Sequence, residues 1–200
     1  MSSKVPDYGS SQTREHILKA SWDLIANHES SLKLTEVATK AAVSRQAIYL
    51  HFGDRAGLVL ALVQHMDETL DLGSKLAHVR AAPDGAELLG RAMRLNTQFW
   101  SAVFPVARIL EAAQNDDAAL SSAWHDRMTF RQKTFLAMIK QIADGGELSP
   151  DWDIEEAAGV LYATAHFDTW RELTHHLGWT EDRYVVAMTR LLCRALLRRS

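Results

Sequence analysis

The sequence holds a single cysteine among 200 residues, so no internal disulfide can form and a reducing compartment suits it. No apolar run approaches the ~20 residues that a membrane-crossing helix needs. The first residues, MSSKVPDYGSSQ, lack the apolar stretch of a secretion signal. The expected location is therefore the cytoplasm, away from any membrane. Positive charge is not in excess either: 22 Lys and Arg stand against 25 Asp and Glu, a net −3. Any nucleic-acid surface must be a local patch. Prolines number four and sit outside the expected long helices, or in a first turn, and alternating strand-like runs are scarce. No nucleophile–base–acid set, no paired carboxylates in an apolar setting and no phosphate-binding glycine loop is present, which argues against an enzyme. The histidines never show the i, i+4 spacing with a third ligand that zinc requires, and adjacent His175 and His176 point apart on a helix. Neither metal nor cofactor is expected.

What is present is 47% apolar residues and an abundance of helix formers, Ala, Leu, Arg, Glu, Gln and Met. The reading is all-α. Residues 1–11, rich in Ser, form an expected flexible tail. Helical spacing of Ile17, Leu18, Ser21, Trp22 and Ile25 predicts a first helix over about Thr13–Asn27. Thr35 and Ser44 are placed to cap a second and a third short helix, and Asp54 a fourth that runs from Arg55 to about Lys75. RAAPDG, at 80–85, has turn chemistry. Further helices are predicted near 84–101, 105–114, 117–144, 153–177 and 181–199, with Pro105 in a first turn and Gly145-Gly146 as a stop.

The third helix lies in AAVSRQAIYLHF, Ala41–Phe52. At about 100° per residue, Ala47, Ile48, His51 and Phe52 share one side and Arg45, Gln46, Tyr49 and Leu50 the other. The first side can pack on Val37, Ala38 and Ala41. The second offers a guanidinium, an amide, a phenol and an apolar tip. Arg can pair with guanine and Gln with adenine, and an apolar tip can touch a thymine methyl. Two short helices joined by a tight turn, the second so equipped, have helix-turn-helix geometry.

LTEVATKAAVSRQAIYLHFGDRAGL resembles the DNA-binding segment of the TetR family of transcriptional regulators, through Tyr49, His51-Phe52 and Arg55. The resemblance covers roughly residues 13–70, and HHLGWTEDRYVVAMTRLLCRALL is similar to the last two helices of many members. It implies an N-terminal three-helix helix-turn-helix domain, residues 12–56, and a helical effector-binding and dimerisation domain, residues 57–200. It implies that Arg45, Gln46, Tyr49 and Leu50 meet double-stranded DNA, that Tyr49, His51 and Arg55 meet phosphates, and that Thr35 and Ser44 present helix-start N–H groups to phosphates. His51 also suits the core. Ala42 stands where the family usually has glycine. If φ is positive there, alanine costs on the order of 1 kcal/mol.

A palindromic operator calls for a homodimer with half-sites about 34–36 Å apart or a multiple. The helix from Asp153 carries Ala157, Ala158, Gly159, Ala163 and Ala165. The last helix presents Tyr184, Val185, Met188, Leu191, Leu192, Ala195 and Leu196, a wide apolar face suited to a bundle across a two-fold axis. Between the ends, the resemblance implies a cavity for a small, largely apolar effector. Candidates to line it are Met93, Trp100, Phe104, Trp124, Met128, Arg131, Phe135, His166 and Trp170. Such stripes are also what a core needs. Arg131 interrupts the stripe Leu120, Trp124, Met128, Phe135, Met138 and Ile142. It calls either for an internal carboxylate, with Glu111 as candidate, or for an anionic or carbonyl-bearing ligand. Cys193 reads as a small buried hydrophobe. The chain is thus expected to be a regulator, a repressor released or modulated by its effector. The alternative is a helical regulator or adaptor that answers a protein partner.

Overall fold

The computed structural model describes residues 11–27, 32–113, 115 and 117–198. The helices are α1 (Ser11–Asn27), α2 (Leu34–Lys40), α3 (Arg45–Phe52), α4 (Arg55–Thr69), α5 (Leu72–Arg80), α6 (Gly85–Ala113), α7 (Ala118–Asp144), α8 (Ile154–Thr164), α9 (Phe167–Arg171) and α10 (Glu181–Leu196). A π-helical turn, Glu172–His176, follows α9. Among the described residues there is no strand, only an isolated antiparallel bridge between Leu148 and Leu197. The fold is all-α, as expected. Of the expected N-terminal tail, residues 1–10 lie outside the described residues, and Ser11 already opens α1.

The chain divides into two compact units. One takes the described residues of Met1–Leu70 and Val103–His125, the other those of Asp71–Ala102 and Asp126–Ser200. In the first, α1 packs on α2 and α4, and α3 on α2 and α4. Ile17, Leu18, Val37, Ile48, Leu58 and Leu62 are fully buried there, each contributing about 1.5–3 kcal/mol of burial. Ser21 joins this core without loss, because its hydroxyl donates to the Ile17 carbonyl at 2.8 Å.

The second unit is tied together at its chain ends. Both carboxylate oxygens of Glu147 accept from Gly85 N–H at 3.0 Å, placing a negative group at the start of α6. Trp152 Nε1 donates to the Ala195 carbonyl at 2.7 Å and Ser149 N to the Leu196 carbonyl at 2.8 Å, fastening the segment after α7 to the end of α10. Trp100, Phe167, Trp170 and Tyr184 fill the core of this unit.

Four expectations are corrected. The helix that starts at Arg55 ends at Thr69, and Asp71, at φ 48°, separates it from α5. Pro105 does not open a helix; it lies inside α6, which runs through it. The helix expected over 153–177 is broken at Ala165-His166 into α8 and α9. The cap of α2 is Lys33, without a side-chain hydrogen bond, and Thr35 sits within the helix.

Candidate DNA-binding surface and effector cluster

The turn between α2 and α3 is built by backbone alone. Val43 N–H donates to the Ala38 carbonyl at 2.9 Å and Ala42 N–H to the Thr39 carbonyl at 3.2 Å. This is the Schellman pattern of a helix C-terminus, and it needs a left-handed residue just past the cap. Ala42 is that residue, at φ 53°. Ser44 then caps α3, its hydroxyl accepting from Ala47 N–H at 3.1 Å. With Ala47 and Ile48 buried, α3 turns its other face outward.

On that face Arg45 and Gln46 are exposed. Tyr49 is 43% exposed and Leu50 71%, large apolar surface that nothing in the described chain covers. Arg45 Nη2 lies 3.4 Å from the Tyr49 hydroxyl, so the two tips stand together. Thr35 is exposed at the start of α2. His51 is half-buried, with its Nε2 sealed and unpaired. Arg55 is exposed at the first position of α4, and its Nε donates to the Leu32 carbonyl at 3.2 Å. Asp54 caps α4 by accepting from Gly57 N–H at 2.7 Å. Sequence reasoning missed Gly57: a Cβ there would meet the Phe52 carbonyl oxygen at 2.0 Å, so the α3–α4 corner admits only glycine.

The effector candidates divide. Phe104 and Trp124 belong to the first unit and the other seven to the second. In the second, Arg131 lies over Trp100, 4.4 Å from the ring centroid, and over Phe135 at 5.2 Å. Its Nη2 donates to Asn96 Oδ1 at 2.5 Å and to the Ala165 carbonyl at 2.9 Å. These partners are neutral. The internal carboxylate is not among them, Glu111 included. Burial lowers the guanidinium pKa to about 10, with the phenols of Tyr162 and Tyr184 opposing the shift, so it stays charged at neutral pH. Burial likewise pushes the Tyr184 phenol well above its ordinary value, against the pull of Arg131.

Met93 and Trp170 are fully buried, and Met128, one turn before Arg131, is half-buried. His166 caps α9, its Nδ1 accepting from Asp168 N–H at 3.3 Å. The carbonyls at the end of α8 gather donors: Trp100 Nε1 reaches Ala165 at 3.1 Å and the Tyr184 hydroxyl reaches Thr164 at 3.0 Å. Asn96, Tyr162 and Tyr184 were missed from sequence as members of this cluster. Asn96 carried a signal, being a polar residue on the apolar stripe between Met93 and Trp100. Among the described residues no group of three or more His, Cys, Asp or Glu side chains could hold a metal, and no helix is long and apolar enough to cross a membrane.

On α10, Tyr184, Leu192 and Leu196 are buried within the chain, Val185, Met188 and Ala195 are half-buried, and Leu191 is 52% exposed. On α8, Ala157 and Ala158 are buried and Gly159 and Ala163 exposed; Ala165, which caps its C-terminus, is buried.

Residues 17–62 match the family model of the bacterial regulatory proteins of the tetR family. No curated protein matches the sequence. Among solved structures, a candidate transcriptional regulator from Saccharomonospora viridis in complex with choline superposes with a TM-score of 0.81 at 18% identity, over 95% of this chain and 100% of that one. A candidate TetR-family regulator from Rhodococcus sp. gives 0.68 at 21% identity, over 92% and 97%. The transcriptional regulator FadR from Bacillus subtilis, in complex with stearoyl-CoA, gives 0.71 at 13%, over 90% and 97%. Residues 17–62 are therefore a DNA-binding domain of the tetR family of bacterial regulatory proteins, in a chain with the fold of TetR-family transcriptional regulators.

Proposed function

We propose that the protein is a sequence-specific transcriptional regulator of the cytoplasm, a repressor that binds a palindromic operator as a homodimer and is released by a small, largely apolar effector. The observation that carries this is the outward face of α3. Arg45, Gln46, Tyr49 and Leu50 are exposed together, directly after a tight turn, and they are the residue types that read base edges in the major groove. Ser44, Thr35 and Arg55 stand at helix starts around that face, where N–H groups and a cation meet phosphates. The half-buried His51 is the flank of that surface.

Pairing of two copies uses α8 and α10, whose exposed Ala163, Val186 and Leu191 remain uncovered in the single chain. The effector binds among the aromatic groups of the second unit, and its differential affinity for two states alters operator binding, typically by 1–3 kcal/mol. Choline and stearoyl-CoA in the solved relatives support a small-molecule ligand.

The test is selection of bound duplexes from a random DNA pool, with an Arg45→Ala/Tyr49→Ala protein in parallel. Enrichment of a palindrome by the wild type alone is the expected result. No enrichment by a folded, ligand-free dimer would remove the reading.

A further inference from the structure

Arg131 poses a chemical question that its neighbours leave open. It is a full positive charge with neutral hydrogen-bond partners, Asn96 Oδ1 and the Ala165 carbonyl. Taken whole the residue is half-buried, yet its Nε is sealed from solvent and has no partner. Asn96 is 4% exposed. Its Oδ1 is engaged by Arg131, which leaves the sealed Nδ2 without an acceptor. Reversing the amide offers no relief, because Arg has only donors to set against it. Two sealed N–H donors therefore stand around a cation with nothing to accept from them. Buried donors are rarely left so.

A purely structural role explains part of this. The carbonyls of Thr164 and Ala165 end α8, where a cation and N–H or O–H donors are favourable. Tyr184, Trp100 and Arg131 Nη2 serve them. That account stops at Nη2. Arg131 Nε and Asn96 Nδ2 remain outside it. Aromatic groups surround it: the Trp100 and Phe135 rings lie against the guanidinium, and the Phe167 ring is 5.1 Å from that of Trp100.

We propose that Arg131 and Asn96 anchor the carboxylate of a small, largely apolar acid whose body lies against the aromatic groups of this unit. A carboxylate supplies the missing negative charge and two acceptor oxygens, one for Arg131 Nε–H and one for Asn96 Nδ2–H, while Arg131 Nη2 keeps its bonds to Asn96 Oδ1 and the Ala165 carbonyl. A quaternary ammonium meets a like charge at the same place. The site therefore selects against a cation such as the choline bound by the Saccharomonospora viridis relative. The proposal rests on the reading of the chain as an effector-responsive regulator and names the class of that effector.

The experiment titrates the full-length protein at constant ionic strength with benzoate, 3-phenylpropionate and octanoate, and with the matched primary amides and trimethylammonium compounds. Calorimetry and thermal unfolding are read, with chloride and phosphate salts as controls. The acids bind and raise the melting temperature, the amides bind about tenfold to a hundredfold more weakly, and the ammonium compounds and inorganic salts have no effect. Asn96→Asp places a carboxylate against Arg131 from within. That variant melts higher than the wild type without ligand and no longer responds to the acids, a pairing of effects that mere damage to the fold cannot produce. Arg131→Met, checked for its helical content, loses the acid response as well. Failure of every acid to bind, equal binding of the ammonium compounds, or an acid response surviving Asn96→Asp overturns the proposal. The DNA selection separates the two claims. Acid binding without operator enrichment keeps this site and removes the regulator reading; enrichment without acid binding does the reverse.

Discussion

Replacing Ala42 with glycine should stabilise the DNA-binding unit. The residue lies at φ 53°, where a Cβ crowds the following carbonyl at a cost of roughly 1–2 kcal/mol. Glycine removes that strain but gains freedom in the unfolded chain, a loss of about 0.4–1 kcal/mol. Ala42 is exposed, so its methyl group takes little packing with it. The backbone bonds of the turn, Val43 N–H to Ala38 and Ala42 N–H to Thr39, do not involve the side chain and persist. The balance is a gain of about 0.5–1 kcal/mol, the difference of those two ranges near their middles. Urea unfolding reads it as a higher midpoint at unchanged slope. Hydrogen exchange locates it, slowing the amides of α2 and α3 by about twofold to fivefold where exchange proceeds by local opening. A neutral or destabilised Ala42→Gly, with exchange in α2 and α3 unchanged or faster, refutes the reasoning, because it would mean that the left-handed turn carries no strain.

Gly57→Ala should do the opposite: its Cβ meets the Phe52 carbonyl oxygen at 2.0 Å, so the α3–α4 corner must shift, and a loss of about 2 kcal/mol or more on urea unfolding is expected, with weakened DNA binding. Tyr184→Phe deprives the Thr164 carbonyl of its 3.0 Å hydrogen bond and lowers stability by about 1 kcal/mol, read in the same assay. The Cys193 thiol is pushed above its ordinary pKa, first by burial and then by the negative charge of Asp84. The thiolate that reacts is thus scarcer than in a free thiol at any pH below that raised value. Alkylation at pH 8 should be slower than that of a peptide thiol and should climb as pH rises past the ordinary thiol range, as a thiol-labelling time course will show.

The local signals in the N-terminal unit were legible because each is spent within a few residues. Ser44 and Asp54 cap as their positions suggest, and the burial of Ala47 and Ile48 follows from the wheel. Thr35 misled because a threonine one residue inside a helix looks like a cap until the backbone is seen. Pro105 misled for the opposite reason. Within a helix it loses one hydrogen bond and costs about 3 kcal/mol by itself, yet Trp100, Val103, Val106 and Leu110 are all buried along α6, and that burial carries the helix through. The break at Ala165-His166 has no glycine or proline to mark it, and at Asp71 the nearest glycine, Gly73, falls two residues on, inside α5. At Arg131 the sequence showed a cation on an apolar stripe, but Asn96 lies 35 residues away and the Ala165 carbonyl 34. Pairings across that separation are made by the tertiary fold.

The most direct test of the account is the affinity of Arg45→Ala for a selected operator and for a scrambled duplex of equal length, at one salt concentration. If α3 reads base edges, the variant loses about tenfold to a hundredfold on the operator, the 1–3 kcal/mol of a base contact, and little on the scrambled duplex. An equal loss on both duplexes would show that Arg45 meets only phosphate, and would contradict the assignment of the α3 face as the reading surface.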